Sequence, residues 1–141
     1  MRLEKLGKYI SQIRGVSFSP NEVINEQIDG FIPIIKSNNI KEDGFENKEM
    51  IFIKSEKVRP EQFIKKGDIV LTASSGSKKT IGKNIQFDSD YNGSFGAFCK
   101  LVRPKNEIYP KYLYHFFRTT YFRKSLENAV QGANISNLKN E

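Results

Sequence analysis

The chain has 141 residues and a formal net charge of +7, a length that suits one domain. A lone cysteine, Cys99, excludes an internal disulfide and a cysteine-rich metal site, and a lone histidine, His115, argues against a histidine-based zinc centre. No apolar run approaches a membrane span and residues 1–15 hold no apolar signal core, so the expected compartment is a reducing cytoplasm.

In chain order, Leu3, Leu6, Ile10 and Ile13 recur at helical spacing and predict a short opening helix or helical turn that Gly15 ends. Val16 to Asn21 is turn-rich. Asp29-Gly30 signals a turn before a strand at Phe31–Lys36, where Pro33 belongs at an edge or near the strand start. That strand runs into a polar tip, Ser37-Asn38-Asn39. Residues 41–48 are charged and contain glycine, which predicts an exposed loop. Met50–Ile53 predicts a strand, Arg59-Pro60 a break, and Glu61–Ile64 a helical turn.

The stretch KKGDIVLTASSGSKKTIGK at 65–83 combines a polar turn, a buried strand at Ile69–Leu71 and a run of small hydroxylated residues followed by lysines. Small residues allow close backbone approach to a ligand, and hydroxyls with Lys78, Lys79 and Lys83 suit phosphate. It is not a Walker A loop: Gly76 to Gly82 spans one residue too many, and Asn84 stands where a hydroxyl must bind magnesium. Asn84–Phe87 alternates as a half-buried strand, Asn92-Gly93 suits a positive-φ turn, and Phe95–Arg103 predicts one further strand stopped by Pro104. Pro110 opens the C-terminal third, where two helices are expected near 110–118 and 120–130, the second carrying Phe122, Leu126, Ala129 and Val130 on one face. The pattern is α+β: short strands first, helices last.

Charge is one-sided. Residues 1–62 carry ten basic and ten acidic side chains, whereas residues 63–141 carry thirteen and six. A basic half points to a polyanion. Aromatics beside Arg118, Arg123 and Lys124 offer a stacking surface, but their helical spacing assigns most of them to a core.

The order of these signals resembles the target-recognition domain of the DNA specificity subunit of type I restriction–modification systems. The resemblance rests on Lys5-Leu6-Gly7, Ile13-Arg14-Gly15, IPIIKSNNI at 32–40, KKGDIVLTASSG at 65–76, IGK at 81–83, SFGAF at 94–98 and LVRP at 101–104. It continues through PKYLYHFFRT at 110–119 and FRKSLENAVQGANISNL at 122–138. It implies a non-catalytic, mixed α/β module that reads one half of a split target in duplex DNA. Methyltransferase subunits using S-adenosylmethionine, and restriction subunits using ATP and Mg, would be the partners. It also implies a fragment over 1–141 that lacks the family's helical spacer and second recognition domain.

The residues expected at DNA are Lys36, Ser37, Asn38 and Asn39 on one tip, Ser74, Ser75, Ser77, Lys78 and Lys79 on the other, and Lys83 at a phosphate. Lysines supply affinity without sequence information, whereas polar side chains at base edges discriminate by roughly 1–3 kcal/mol per bidentate pair. Two alternatives stand beside this reading. Glu46-Asn47-Lys48, with Asp29 and Asp43 upstream, has the spacing of a metal-dependent nuclease but lies in a charged glycine loop. The aromatic segment Tyr109–Val130 could instead dock a protein partner such as a methyltransferase.

Overall fold

The structure, a computed structural model, describes residues 9–41, 44–73, 82–105, 108–119 and 122. The strands are β1 (Ile10–Arg14), β2 (Phe31–Ile35), β3 (Ile40–Lys41), β4 (Gly44–Phe45), β5 (Ile51–Lys54), β6 (Ile69–Thr72), β7 (Asn84–Gln86), β8 (Ser94–Phe95) and β9 (Cys99–Pro104). Helix α1 (Pro110–Phe117) follows, with Pro110 in its first turn, where a missing amide is harmless. The architecture is α+β, as expected. The second predicted helix lies outside the described residues except for Phe122, which is buried.

Four strands form an antiparallel sheet in the order β1-β9-β6-β7. Its two central strands are covered on both faces, so they read as apolar runs rather than as alternation. Ile69, Leu71 and Val102 face a cluster with Leu113, Phe117 and Phe122, which places α1 on that side. The rings of Phe117 and Phe122 stack there at 4.5 Å. Val70, Leu101 and Cys99 face the opposite way, against Ile35, Ile40 and Phe95. The latter two sides belong to a three-stranded sheet in the order β5-β2-β8 and to the β3-β4 ribbon. Ile34, next to Ile35, points into a third cluster with Val16, Ile32, Ile53 and Val58.

Several expectations change. Ile10 and Ile13 lie in a strand, not a helix: Ile10 packs towards α1 and Ile13 towards the opposite cluster. A spacing of three marks one face of a helix and opposite faces of a strand, and a sheet buried on both sides satisfies it equally well. The segment Phe95–Arg103 is two strands rather than one. β8 pairs with β2, the chain turns through Gly96-Ala97-Phe98, and β9 pairs with β1 and β6. The charged loop after β3 contains β4, whose Phe45 is drawn inward by the rings of Phe87 and Tyr91. Asn84, expected to alternate outward, is buried with Ile85.

Pro33 faces Phe52 across β2 and β5. Phe52 exchanges its own backbone hydrogen bonds with Ile24 on its other flank. The Pro33–Phe52 pair therefore needs no amide from Pro33, and β8 joins β2 only at Ile34 and Ile35. Gly93 was expected to need positive φ; it needs space instead. A Cβ there would lie 2.5 Å from the Tyr91 ring and 2.8 Å from the Pro33 carbonyl oxygen.

One polar cluster ties these layers together. Asp68, 1% exposed, receives two hydrogen bonds from Arg103, Nε to Oδ1 at 2.9 Å and Nη2 to Oδ2 at 2.8 Å. Its Oδ2 also accepts the Lys65 amide at 2.8 Å, and Arg103 Nη2 donates to the Phe63 carbonyl at 3.0 Å. Removing one partner leaves a buried charge uncompensated, whereas replacing both with apolar groups is tolerated far better. Asp68→Ala is expected to lower unfolding free energy by about 3 kcal/mol, with the Asp68→Leu/Arg103→Met double variant closer to the parent. Urea titrations of the three proteins check this, and a double variant as weak as the single one would contradict it.

Candidate functional site

Among the described residues, the candidates lie towards one end of the four-stranded sheet, opposite the Asp68–Arg103 pair. This end is formed by the close of β1 at Arg14, the close of β6 at Thr72, the start of β7 at Asn84 and the start of β9 at Cys99. Lys83 stands here, its carbonyl accepting the Thr72 amide at 2.9 Å, with its side chain half-buried. Arg14 is exposed at the same end. Ala73 follows β6, its amide bonded to the Phe98 carbonyl at 2.9 Å, and leads in sequence to residues 74–79. Ser74, Ser75, Ser77, Lys78 and Lys79 lie outside the described residues.

The other tip is a 3₁₀ turn, Ser37–Asn39, on the end of β2. Lys36, Ser37 and Asn38 line a cleft of about 440 Å³ with Val16, Phe18 and Phe98. Ser37 is half-buried and Asn38 exposed. Lys36 reaches back so that Nζ donates to the Glu49 carbonyl at 3.1 Å, and Glu49 holds a left-handed φ of 54°. Asn39 differs from its neighbours. It is 1% exposed, its Oδ1 accepts the Lys36 amide at 2.9 Å, and its Nδ2 donates to the carbonyls of Glu46 and Lys48 at 2.8 and 3.0 Å. Its amide closes the turn and anchors the β4 segment, leaving Ser37 and Asn38 as the outward residues of the tip.

Phe98 was not singled out from the sequence. It is 67% exposed, on the turn between β8 and β9, and borders the same cleft. The one available signal was its alternation with Lys100, which sets it off from Phe95 and Cys99. The turn sits against Gly15, where a Cβ would fall 1.9 Å from the Gly96 carbonyl oxygen, so the two backbones touch. Cys99, behind the turn, is 3% exposed, and burial pushes its thiol up to about 12.

The acidic alternative finds little support in the geometry. The Glu46 carboxylate lies 3.6 Å from both Lys41 and Lys48, and no group of three potential metal-ligating side chains occurs among the described residues. Tyr109, which precedes α1, and Tyr112 on it are 80% and 51% exposed. No helix among the described residues is long and apolar enough to cross a membrane.

The fold is that of type I restriction specificity subunits. It matches the HsdS subunit from Thermoanaerobacter tengcongensis with a TM-score of 0.63 at 15% identity, over 88% of this chain and 28% of that one. The S subunit from M. genitalium gives 0.54 at 17% identity, over 90% and 28%. A chain from a structural study of complex assembly and conformational transition in the type I R-M system gives 0.68 at 16% identity, over 96% and 31%. No protein-family model matches the chain.

Sequence relatives agree. Over 127 residues, 90% of this chain, it is 37% identical to the type I restriction enzyme StySPI specificity subunit of Salmonella potsdam and 35% identical to the EcoKI specificity subunit of Escherichia coli K12. Along that stretch the chain is a relative of the type I specificity subunits, the family its motifs resemble, and it spans 27% of the length of each of these two proteins.

Two outcomes check the geometry. Asn39→Ala strips partners from one amide and two carbonyls and is expected to cost about 2 kcal/mol of stability. A denaturation curve that does not move would return Asn39 to the outward face. The Cys99 thiol keeps its proton in the folded chain well above the ordinary value of 9.0. The unfolded chain releases it first, so this contribution to stability is intact below pH 9 and is lost as pH rises towards 12. A Cys99→Ala variant should show a shallower loss over that interval, and the native thiol should resist a disulfide reagent until the chain unfolds.

Proposed function

We propose that this chain is a DNA target-recognition module of a type I restriction–modification specificity subunit. It reads one half of a bipartite site in duplex DNA and is not itself catalytic. Methyltransferase and restriction subunits assembled with it modify or cleave, and S-adenosylmethionine, ATP and Mg belong to those subunits. The setting is the cytoplasm. The observation that carries this reading is the 37% identity to a specificity subunit over nine-tenths of the chain. The polar and basic residues next to strand ends support it physically: Lys36, Ser37 and Asn38 follow β2 and Lys83 precedes β7, and a net charge of +7 favours a polyanion.

Under this reading, Ser37 and Asn38 meet base edges, while Lys83, Lys78 and Lys79 meet phosphates. Ser74, Ser75 and Ser77 contact the DNA as well. Exposed Tyr109 and Tyr112 favour a second role for α1 in docking a partner subunit.

The test is a selection from random duplex DNA by the complete specificity subunit assembled with its methyltransferase. Enrichment of a fixed half-site assigned to this module is expected. No enrichment and no binding from a competent complex would leave α1 docking as the primary role. Lys78→Ala/Lys79→Ala should weaken binding to cognate and random duplex alike and reduce the slope of log K against log salt by about 2. An unchanged slope removes that pair from the phosphate contacts.

A further inference from the structure

We propose that Phe98 is a specificity-determining residue that lays its ring against a base in the DNA groove, beside hydrogen bonds from Ser37 and Asn38. The inference rests on the DNA-reading function proposed above and assigns that function to a side chain that charge and polarity do not identify.

Phe98 leaves 67% of its surface in solvent. A lone exposed aromatic is ordinary on a protein surface, but a flexible loop could fold such a ring away. This turn cannot do so. The Cys99 amide bonds back to the Gly96 carbonyl at 3.0 Å, closing it, and the Phe98 carbonyl receives the Ala73 amide at 2.9 Å. Upstream, the Gly96 amide donates to Ile35 at 2.9 Å, and the Val16 amide donates to Phe95 at 2.8 Å. The backbone carrying Phe98 is thus pinned by β2, β6 and the segment after β1. Gly15 lets that segment approach to direct contact, because any side chain there would collide with Gly96.

The surroundings specify what the ring meets. Phe98 and Ala97 share one cleft with Lys36, Ser37 and Asn38. An apolar face next to an amide and a hydroxyl matches the chemistry of a base-pair edge. Asn pairs with adenine, Ser with several bases, and an apolar side chain with the thymine methyl group. A docking protein segment fits less well, since the chain carries a net charge of +7, which favours a polyanion.

The experiment compares the parent subunit, Phe98→Ala and Phe98→Leu, each assembled with its methyltransferase. Affinities are measured for the selected duplex, for a scrambled duplex, and for duplexes with each thymine of the half-site replaced by uracil. Phe98→Ala should lose about tenfold in cognate affinity, with scrambled binding and salt slope unchanged, and Phe98→Leu should recover part of the loss. One uracil substitution should weaken the parent and have no added effect in Phe98→Ala. Equal loss on cognate and scrambled duplex, no loss at all, or full sensitivity to every uracil in Phe98→Ala would overturn the proposal. If the parent itself shows no cognate preference, the DNA-reading function fails first and this assignment falls with it. A matching denaturation curve for Phe98→Ala separates lost contact from lost fold.

Discussion

Asp68 and Arg103 form the constraint on which the rest of the architecture depends. Their paired hydrogen bonds join the turn that enters β6 to the last residues of β9, the two strands at the centre of the larger sheet. The same corner fixes the entry to α1. Gly67, at a φ of 92°, leaves ordinary van der Waals room beside Pro110, and Gln86 donates to both the Gly67 and Pro110 carbonyls. A nearly inaccessible carboxylate is costly unless opposite charge and amides surround it. Here they do, so strand entry, strand exit and helix start are locked in one arrangement. Asp68 of the KKGD turn and Arg103, read in sequence as the end of a strand, form this pair.

With one end of the sheet committed to structure, the other is available for function. Antiparallel pairing brings the close of β1, the close of β6, the start of β7 and the start of β9 to the same place. The parallel contact of β2 with β8 carries the Ser37–Asn39 turn to that end as well. The segment after β1, the β2 tip and the β8–β9 turn thereby share one cleft. Each is a short extension of a buried strand, which holds it to a position more closely than a long loop would. Sequence discrimination needs that control, because hydrogen bonds to base edges weaken steeply with misalignment.

Glycine and asparagine positions show how small residues decide this geometry. Gly15 and Gly93 matter for space rather than for unusual dihedrals: backbone or ring atoms occupy the volume a side chain would need. Asn39 and Asn84 are buried and bond backbone carbonyls, the former at the β2 tip and the latter to Gly82 and the end of α1. Asparagine in a polar tip and asparagine in a buried corner look identical in sequence, and only the count of surrounding partners separates them.

The sequence by itself determined the α+β class, most strand positions, the opening of α1 at Pro110, the one-sided charge and the motif order shared with specificity subunits. These follow from local chemistry: β-branched runs, proline and glycine punctuation, and side-chain charge are all carried by neighbouring residues. Tertiary structure alone decided that Ile10 and Ile13 belong to an edge strand and pack towards opposite clusters, and that Phe95 and Cys99 lie in different sheets. It also decided that Asn39 turns inward while Phe98 turns outward. Each of these depends on partners tens of residues away, and periodicity within a short window contains no information about which distant strand will cover a face. The candidate site was legible as a set of polar tips; the meeting of Ser37 and Asn38 with Phe98 in one cleft is a property of strand pairing.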